Sequence, residues 1–335
     1  MNEHNIEAIK QLLSSPKKIV IIPHRNQDGD SMGSTLGLSH FLIQLNHTVT
    51  VISPNEFADY LSWLPSSEKV MVFEKDTENC SKVLQESELI FTLDFNALHR
   101  TGELMGAYLQ TLSQTFVMID HHQLPDSYAT FMYSDTKMSS TCEMVYHFIH
   151  QLGQEKLINA TVATCLYTGL VTDTGSFRFS STTSTTHEVA ADFIKRGINN
   201  AQIHNNLFDT SSYSRLQLLG KALQNMKLML TYQTSYITLS QEELDAFHYE
   251  KGDTEGFVNY GLSIDGIDFT AIFIENKAEG IIKISFRSQG NFDVNQFARN
   301  YFNGGGHINA AGGKSTDTLE ETVDRFISIV KEIKK

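Results

Sequence analysis

Four times in this chain a mostly apolar, uncharged run ends on an acidic residue. Ile19 to Pro23 leads into His24-Arg25-Asn26-Gln27-Asp28-Gly29-Asp30, Leu89 to Leu93 into Asp94, Thr115 to Ile119 into Asp120-His121-His122, and Leu166 to Thr172 into Asp173. Short apolar runs that alternate with helical spacing read as buried strands of a mostly parallel sheet wrapped by helices. Such a sheet delivers the carboxyl ends of its strands to one edge, where ligands gather. A chain patterned this way must collect carboxylates and imidazoles there, and these are the raw material of a two-metal hydrolytic site.

The pattern predicts strands at 18–23, 48–52, 89–94 and 115–120 and helices at 31–45, 78–86, 140–152 and 157–172. A hydroxyl-rich stretch, 176–186, precedes a helix over His187 to Arg196, which Gly197 can cap. A further helical stretch over 201–228 leads to strands near 234–239, 267–275 and 280–287 and helices near 293–301 and 318–334. The fold class expected is α/β: a mostly parallel sheet flanked by helices, followed by a smaller α/β domain on a mixed sheet. The domains are placed at 1–195 and 229–335, with a helical linker over 196–228. The 335 residues suffice for two cores.

The formal net charge of −13 argues against a duplex-binding surface, which needs clustered Lys and Arg to displace counterions. Any nucleic acid partner should be short and gripped locally. Cys80, Cys142 and Cys165 are far apart and form no C-x-x-C pair, so they read as small buried hydrophobes of a reducing compartment. Residues 1–18 have the spacing of an amphipathic surface helix and lack the features of a signal peptide. Every apolar stretch falls short of the roughly 18–20 residues needed to cross a bilayer, so a soluble cytoplasmic protein without a membrane partner is expected.

Each acidic ending carries its own chemistry. Gly29 and Gly33 permit a tight loop carrying His24, Asp28 and Asp30, and Ser31 is placed to cap the helix that follows. Asp-Gly-Asp taken alone reads equally well as a plain turn. A calcium loop is excluded because the remaining ligands are missing. Asp94 has two oxygens, enough to bridge two cations about 3.5–4 Å apart. The groups of Asp120-His121-His122, and Asp173 at the end of an apolar helix, would be costly to bury without a metal or charge partner. In the second domain Gly304-Gly305-Gly306, read as preceding a helix start, can offer N–H groups to an anion beside His307. Arg287-Ser288 ends a strand with a fork-like phosphate donor.

Taken in order, His24-x-x-x-Asp28-Gly29-Asp30-x-x-Gly33-Ser34, Asp94, Asp120-His121-His122, Asp173-Thr174-Gly175, Arg287-Ser288 and Gly304-Gly305-Gly306-His307 resemble the DHH phosphoesterases that carry the type-one DHH-associated C-terminal domain. The resemblance spans nearly the whole chain. It implies two Mn²⁺ per chain, one held by His24, Asp28 and Asp94, the other by Asp30, Asp94, His121 and Asp173. By the same resemblance His122 lies beside the reacting phosphate and, with Asp94 and Asp30, serves catalysis, while Arg100, Arg287, Ser288, Gly304, Gly305, Gly306 and His307 hold substrate. Gln27 replaces the Pro common in the family, and Asn303 and Ile308 replace Gly and a basic residue around the glycines.

Members of this type hydrolyse very short single-stranded RNA, about two to five nucleotides, and 3′-phosphoadenosine-5′-phosphate, by metal-activated hydroxide attack. Cyclic or linear dinucleotide phosphodiesterases share the same metal site, and a catalytically inactive nucleotide sensor would be expected to have lost ligands that are all present here. The sequence leaves room for a homodimer.

Overall fold

The run Lys18–Pro23 forms β1 inside a six-stranded sheet, and from Ile19 onward each of its residues is buried. A strand covered on both faces is the place for such a continuous apolar run. The computed structural model describes residues 1–334, and the chain divides into two compact units, Met1–Thr210 and Ser211 onward.

In chain order the first unit holds α1 (Glu3–Leu12), β1, α2 (Gly29–Gln44), β2 (Thr48–Ser53), β3 (Met71–Val72), α3 (Thr77–Glu86), β4 (Leu89–Leu93), α4 (Glu103–Leu109), β5 (Thr115–Asp120) and β6 (Phe131–Ser134). Four helices follow: α5 (Thr141–Gln151), α6 (Ala160–Asp173), α7 (Ser184–Lys195) and α8 (Asn200–Phe208). The strand order is β3-β2-β1-β4-β5-β6 and every pairing is parallel. Alternation along β1 divides the core: Ile19 and Ile21 face the cluster built with α2, α5 and α6, whereas Val20 and Ile22 face the one built with α3 and α4.

Helices α2 and α6 approach so closely that a side chain at Gly33 would place its Cβ 2.5 Å from the Cys165 carbonyl oxygen. A Cβ at Gly169 would lie 2.5 Å from Asp30 Oδ1. Small residues at this crossing therefore bring Asp30, in the first turn of α2, beside α6, whose last residue is Asp173.

Several local expectations are corrected. The helix expected from residue 31 starts at Gly29, so Asp30 is helical rather than in a loop, and the cap is Asp28, whose carboxylate accepts from Asp30 N and Ser31 N, rather than Ser31. Strand β6 has no counterpart among the expected strands, because Phe-Met-Tyr-Ser is short and only Tyr133 is buried. The single helix expected over 201–228 is two, α8 and α9 (Tyr213–Asn225), separated at Asp209–Ser212. Ser212 caps α9, while Ile203 of α8 is buried in the first unit's core. Gln27 ties its loop to the end of β2 by donating from Nε2 to Ser53 Oγ at 2.7 Å.

After α9 the second unit contains β7 (Lys227–Met229), β8 (Thr234–Leu239), α10 (Gln241–Ala246), α11 (Asn259–Leu262), β9 (Phe269–Asn276), β10 (Ile281–Ser288), α12 (Val294–Tyr301), β11 (Gly305–Gly306), β12 (Ala310–Ser315) and α13 (Leu319–Ile333). Its sheet runs β11-β12-β10-β9-β8-β7 and is mixed, with β8 and β9 parallel and the other neighbours antiparallel. Phe269, Phe273, Phe286, Phe297, Phe302 and Phe326 form an aromatic core under α12 and α13. The helix start expected after the glycines is instead the hairpin β11–β12. The extended backbone there is set by close packing, since a Cβ at Gly304 would lie 1.9 Å from Gly312 O. Among the described residues no helix is long and apolar enough to cross a membrane.

Candidate metal centre

Three strand ends and two helices of the first unit converge on one cluster. His24 follows β1, Asp94 follows β4, and His121 and His122 follow β5, while Asp28 and Asp30 open α2 and Asp173 closes α6. Asp94 adopts φ of +66°, a left-handed conformation that non-glycine residues rarely take but Asp tolerates, and its N–H still bonds Ile119 O at 3.1 Å.

The two carboxylate oxygens of Asp94 face different imidazoles. Oδ2 lies 3.4 Å from His24 Nε2, and His24 Nε2 is 3.9 Å from Asp28 Oδ2. Oδ1 lies 3.6 Å from His121 Nε2, which is also 3.6 Å from Asp30 Oδ2 and 3.2 Å from Asp173 Oδ2. The donor atoms of His24, Asp28 and Asp94 all lie within 4.8 Å of one another, as do those of Asp30, Asp94 and His121, so Asp94 belongs to both groups.

The tautomers argue that these groups fit cations. His24 Nδ1 sits 2.8 Å from Arg25 O, and His121 Nδ1 sits 3.1 Å from Met138 O. A carbonyl only accepts, so each Nδ1 carries a proton, and Nε2, the nitrogen facing the carboxylates, is the one able to ligate a cation. A divalent cation seated there would replace the proton that the carboxylates otherwise draw onto His121 Nε2 and would offset their mutual repulsion, and backbone-anchored imidazoles of this kind are common metal ligands.

The charges show the same tension. Burial, and then the negative charge of Asp30 and Asp28, hold Asp94 well above the usual carboxylate range. Asp30 is raised by its own burial and by Asp28. Burial opposes protonation of His121, yet Asp173, Asp30 and Asp94 together push it up to about 9. Burial lowers His24. The donor set is hard oxygen and imidazole nitrogen. Cys142 Sγ lies 3.6 Å from the Asp30 carbonyl oxygen, but burial raises its thiol well above the ordinary value, so it stays neutral. This chemistry suits Mn²⁺ or Mg²⁺ better than a structural Zn²⁺.

His122 is held differently. Its Nδ1 lies 2.6 Å from Asp120 Oδ1, and burial, with the charge of His121, lowers it well below the usual imidazole value. Asp120 is raised by burial to about 6. Sequence reasoning includes Asp120 in its motif but misses this orienting role. Arg100 lies in the turn Leu98–Thr101, whose carbonyl at residue 100 accepts from Arg25 N at 2.9 Å. Its positive charge acts on His24, Asp120 and His122, which places it in the field of the cluster.

In the second unit Arg287 and Ser288 end β10, with Arg287 opposite Ala310 of β12, and Ser288 N bonds Asn309 O at 3.0 Å. The turn carrying His307 therefore lies at the same end of that sheet. The Ser288 hydroxyl donates to Phe292 O at 2.6 Å, and Arg287 Nη1 donates to Phe286 O at 3.0 Å. Of the three glycines expected to offer N–H groups to an anion, Gly304 N bonds Ala298 O at 3.2 Å and Gly306 N bonds Asn295 Oδ1 at 2.9 Å. A hairpin packed on α12 uses backbone groups that a free loop would leave open.

A parallel sheet that gathers buried carboxylates and backbone-anchored imidazoles at one edge defines a metal-dependent phosphoesterase. Residues 18–170 match the DHH family, N-terminal domain, and residues 232–335 match the DHHA1 domain, so the chain belongs to the DHH family. It is 30% identical over 318 residues, 93% of this chain and 95% of the relative, to the probable bifunctional oligoribonuclease and PAP phosphatase NrnA of Streptococcus mutans. It is 29% identical over 321 residues, 94% of this chain and 95% of the relative, to the bifunctional oligoribonuclease and PAP phosphatase NrnA of Bacillus subtilis. The crystal structure of an exopolyphosphatase-related protein from Bacteroides fragilis superposes with a TM-score of 0.94 at 38% identity, covering 99% of this chain and 97% of that one.

Proposed function

We propose that this enzyme hydrolyses short oligoribonucleotides, about two to five nucleotides, to mononucleotides and 3′-phosphoadenosine-5′-phosphate to AMP, using two Mn²⁺ per chain. The observation that carries the two-ion reading is the division of Asp94, with Oδ2 beside His24 and Oδ1 beside His121. His24, Asp28 and Asp94 would hold one ion, and Asp30, Asp94, His121 and Asp173 the other. Bound there, divalent cations would supply Lewis acidity toward the phosphoryl oxygens and a lowered pKa for water.

The chain's own groups do the rest. Asp120 accepts the Nδ1 proton of His122 and so presents His122 Nε2 to the reacting phosphoryl group. Arg100 adds positive charge at the same cluster, where a substrate phosphate would be neutralised. In the second unit Arg287 and His307 are side chains proposed to bind substrate. Ser288, Gly304, Gly305 and Gly306 belong to the same proposed substrate-binding set. The names of the curated relatives support the choice of substrates, and the net charge of −13 supports a short substrate over a duplex.

A competition among substrates tests the reading. The metal-loaded protein is incubated with two- to five-nucleotide RNAs, 3′-phosphoadenosine-5′-phosphate, cyclic dinucleotides and pyrophosphate, and kcat/KM is ranked. RNA and 3′-phosphoadenosine-5′-phosphate are expected to lead. A clear preference for a cyclic dinucleotide would move the enzyme to the dinucleotide phosphodiesterases.

A further inference from the structure

Thr141, the first residue of α5, touches two of the three acidic residues expected to hold the second ion. Its N–H donates to Asp30 Oδ2 at 2.7 Å, and its hydroxyl donates to Asp94 Oδ1 at 3.0 Å. These are the same two oxygens that lie 3.6 Å from His121 Nε2. The next N–H, of Cys142, takes the other Asp30 oxygen, Oδ1, at 2.9 Å. The opposite oxygen of Asp94, Oδ2, faces the His24 imidazole rather than Thr141.

Further along a helix, a threonine hydroxyl finds its partner in the preceding turn. Thr35, Thr168, Thr172 and Thr174 each donate to the carbonyl four residues earlier, at 2.6–3.1 Å. Thr141 stands at the first turn, where its backbone N–H has no intrahelical partner, and it directs that N–H and its hydroxyl to carboxylates delivered by two other elements. Its platform is rigid. Ser140 caps α5 by accepting from Glu143 N at 3.0 Å, and the buried Glu143 carboxylate accepts from Ser139 and, at 3.1 Å, from Thr186 of α7.

We infer that Thr141 is a positioning residue that sets the affinity of the second ion site, the one formed by Asp30, Asp94, His121 and Asp173, and leaves the first, formed by His24, Asp28 and Asp94, nearly untouched. The inference rests on the two-ion reading above. A carboxylate whose rotation is held by a fixed donor keeps its remaining lone pairs aimed at the ion. Loss of such a partner typically weakens metal binding about 10- to 100-fold. Only the hydroxyl can be removed by substitution, because the N–H to Asp30 stays whatever the side chain, so the lower half of that range is expected.

The test is Mn²⁺ binding followed by calorimetry and by electron paramagnetic resonance on wild-type protein, Thr141→Val and Thr141→Ser. Valine keeps the shape and removes the donor, and serine keeps the donor. Wild-type protein should bind two ions and show the signal of a spin-coupled pair. Thr141→Val should bind one ion with an affinity within about threefold of wild type and the other about 10- to 30-fold more weakly, so that at intermediate Mn²⁺ the uncoupled single-ion signal replaces the pair. Thr141→Ser should restore the pair.

Two tight ions in Thr141→Val, equal weakening of both ions, or failure of Thr141→Ser to rescue would overturn the role of Thr141 while leaving the two-ion reading standing. Fewer than two ions on wild-type protein would overturn the two-ion reading and this inference with it. Thermal unfolding of the metal-free proteins separates a folding defect from the effect sought. If valine misfolds, Thr141→Ala replaces it in the same titration.

Discussion

The first unit carries acidic motifs and the second a glycine motif; both are short chemical signals in the sequence, and the fold treats them in opposite ways. Asp30, Asp94, His24 and His121 come from separate elements and meet with their reactive atoms facing one another. The glycines at 304–306 enter a hairpin and commit two of their N–H groups to Ala298 and Asn295. A side-chain motif keeps its chemistry wherever the backbone carries it. A backbone motif keeps its chemistry only if no neighbouring strand or helix claims the same N–H.

The sharpest way to break this comparison is to remove the shared carboxylate. Asp94→Ala should empty both ion sites and lower activity by about 10³-fold or more, as chelation should, whereas Asp28→Ala should mainly weaken one site. Metal content per chain, measured on both variants, decides it. Equal loss in the two would contradict the bridging role drawn from the two faces of Asp94.

Next in size is His122→Ala, expected to lower kcat by about 10²- to 10⁴-fold with most of the bound Mn²⁺ retained. If metal is lost as well, His122 is a ligand and the division of labour between the two adjacent histidines fails.

On the other side of the comparison, Arg287→Ala should reduce kcat/KM for a two- to three-nucleotide RNA by about 1.5–3 kcal/mol of charged hydrogen bonding and leave bis-p-nitrophenyl phosphate nearly unchanged. The same loss on both substrates would make Arg287 a support of the fold. The smallest expected effect is on stability. Gly304→Ala forces a Cβ against Gly312 O and should destabilise the protein by about 1–3 kcal/mol in denaturant unfolding, with Mn²⁺ affinity unchanged. A neutral substitution would mean that the hairpin yields, and that its glycines serve something other than packing.

Much of the catalytic unit is legible in the chain itself. The strands at 18–23, 89–93 and 115–120 announce themselves because a run buried on both faces has no room for polar residues. Asp94, Asp173, His24 and the pair His121-His122 stand out because ionisable groups at the end of such runs are destabilising unless something compensates them. What escapes are elements whose residues carry little signal of their own. β6 is only four residues long, and β12 reads Ala-Ala-Gly-Gly-Lys-Ser, which lacks the branched and aromatic residues of a typical strand. The break at Asp209–Ser212 is hidden because both flanking segments keep helical spacing.

Residue order alone indicated which candidate ligands this chain would gather and which edge of which sheet would gather them, because burial and period are local properties of short segments. It could not say what would hold those ligands still. Thr141 and Asp30 are 111 residues apart, and Gln27 finds Ser53 26 residues away. The approach of α6 that seats Asp30 depends on the absence of a side chain at Gly169. Hydrogen bonds of that kind exist only once two elements have packed, since each donor is chosen by distance and angle in the folded core and nothing in its own neighbourhood along the chain records the choice.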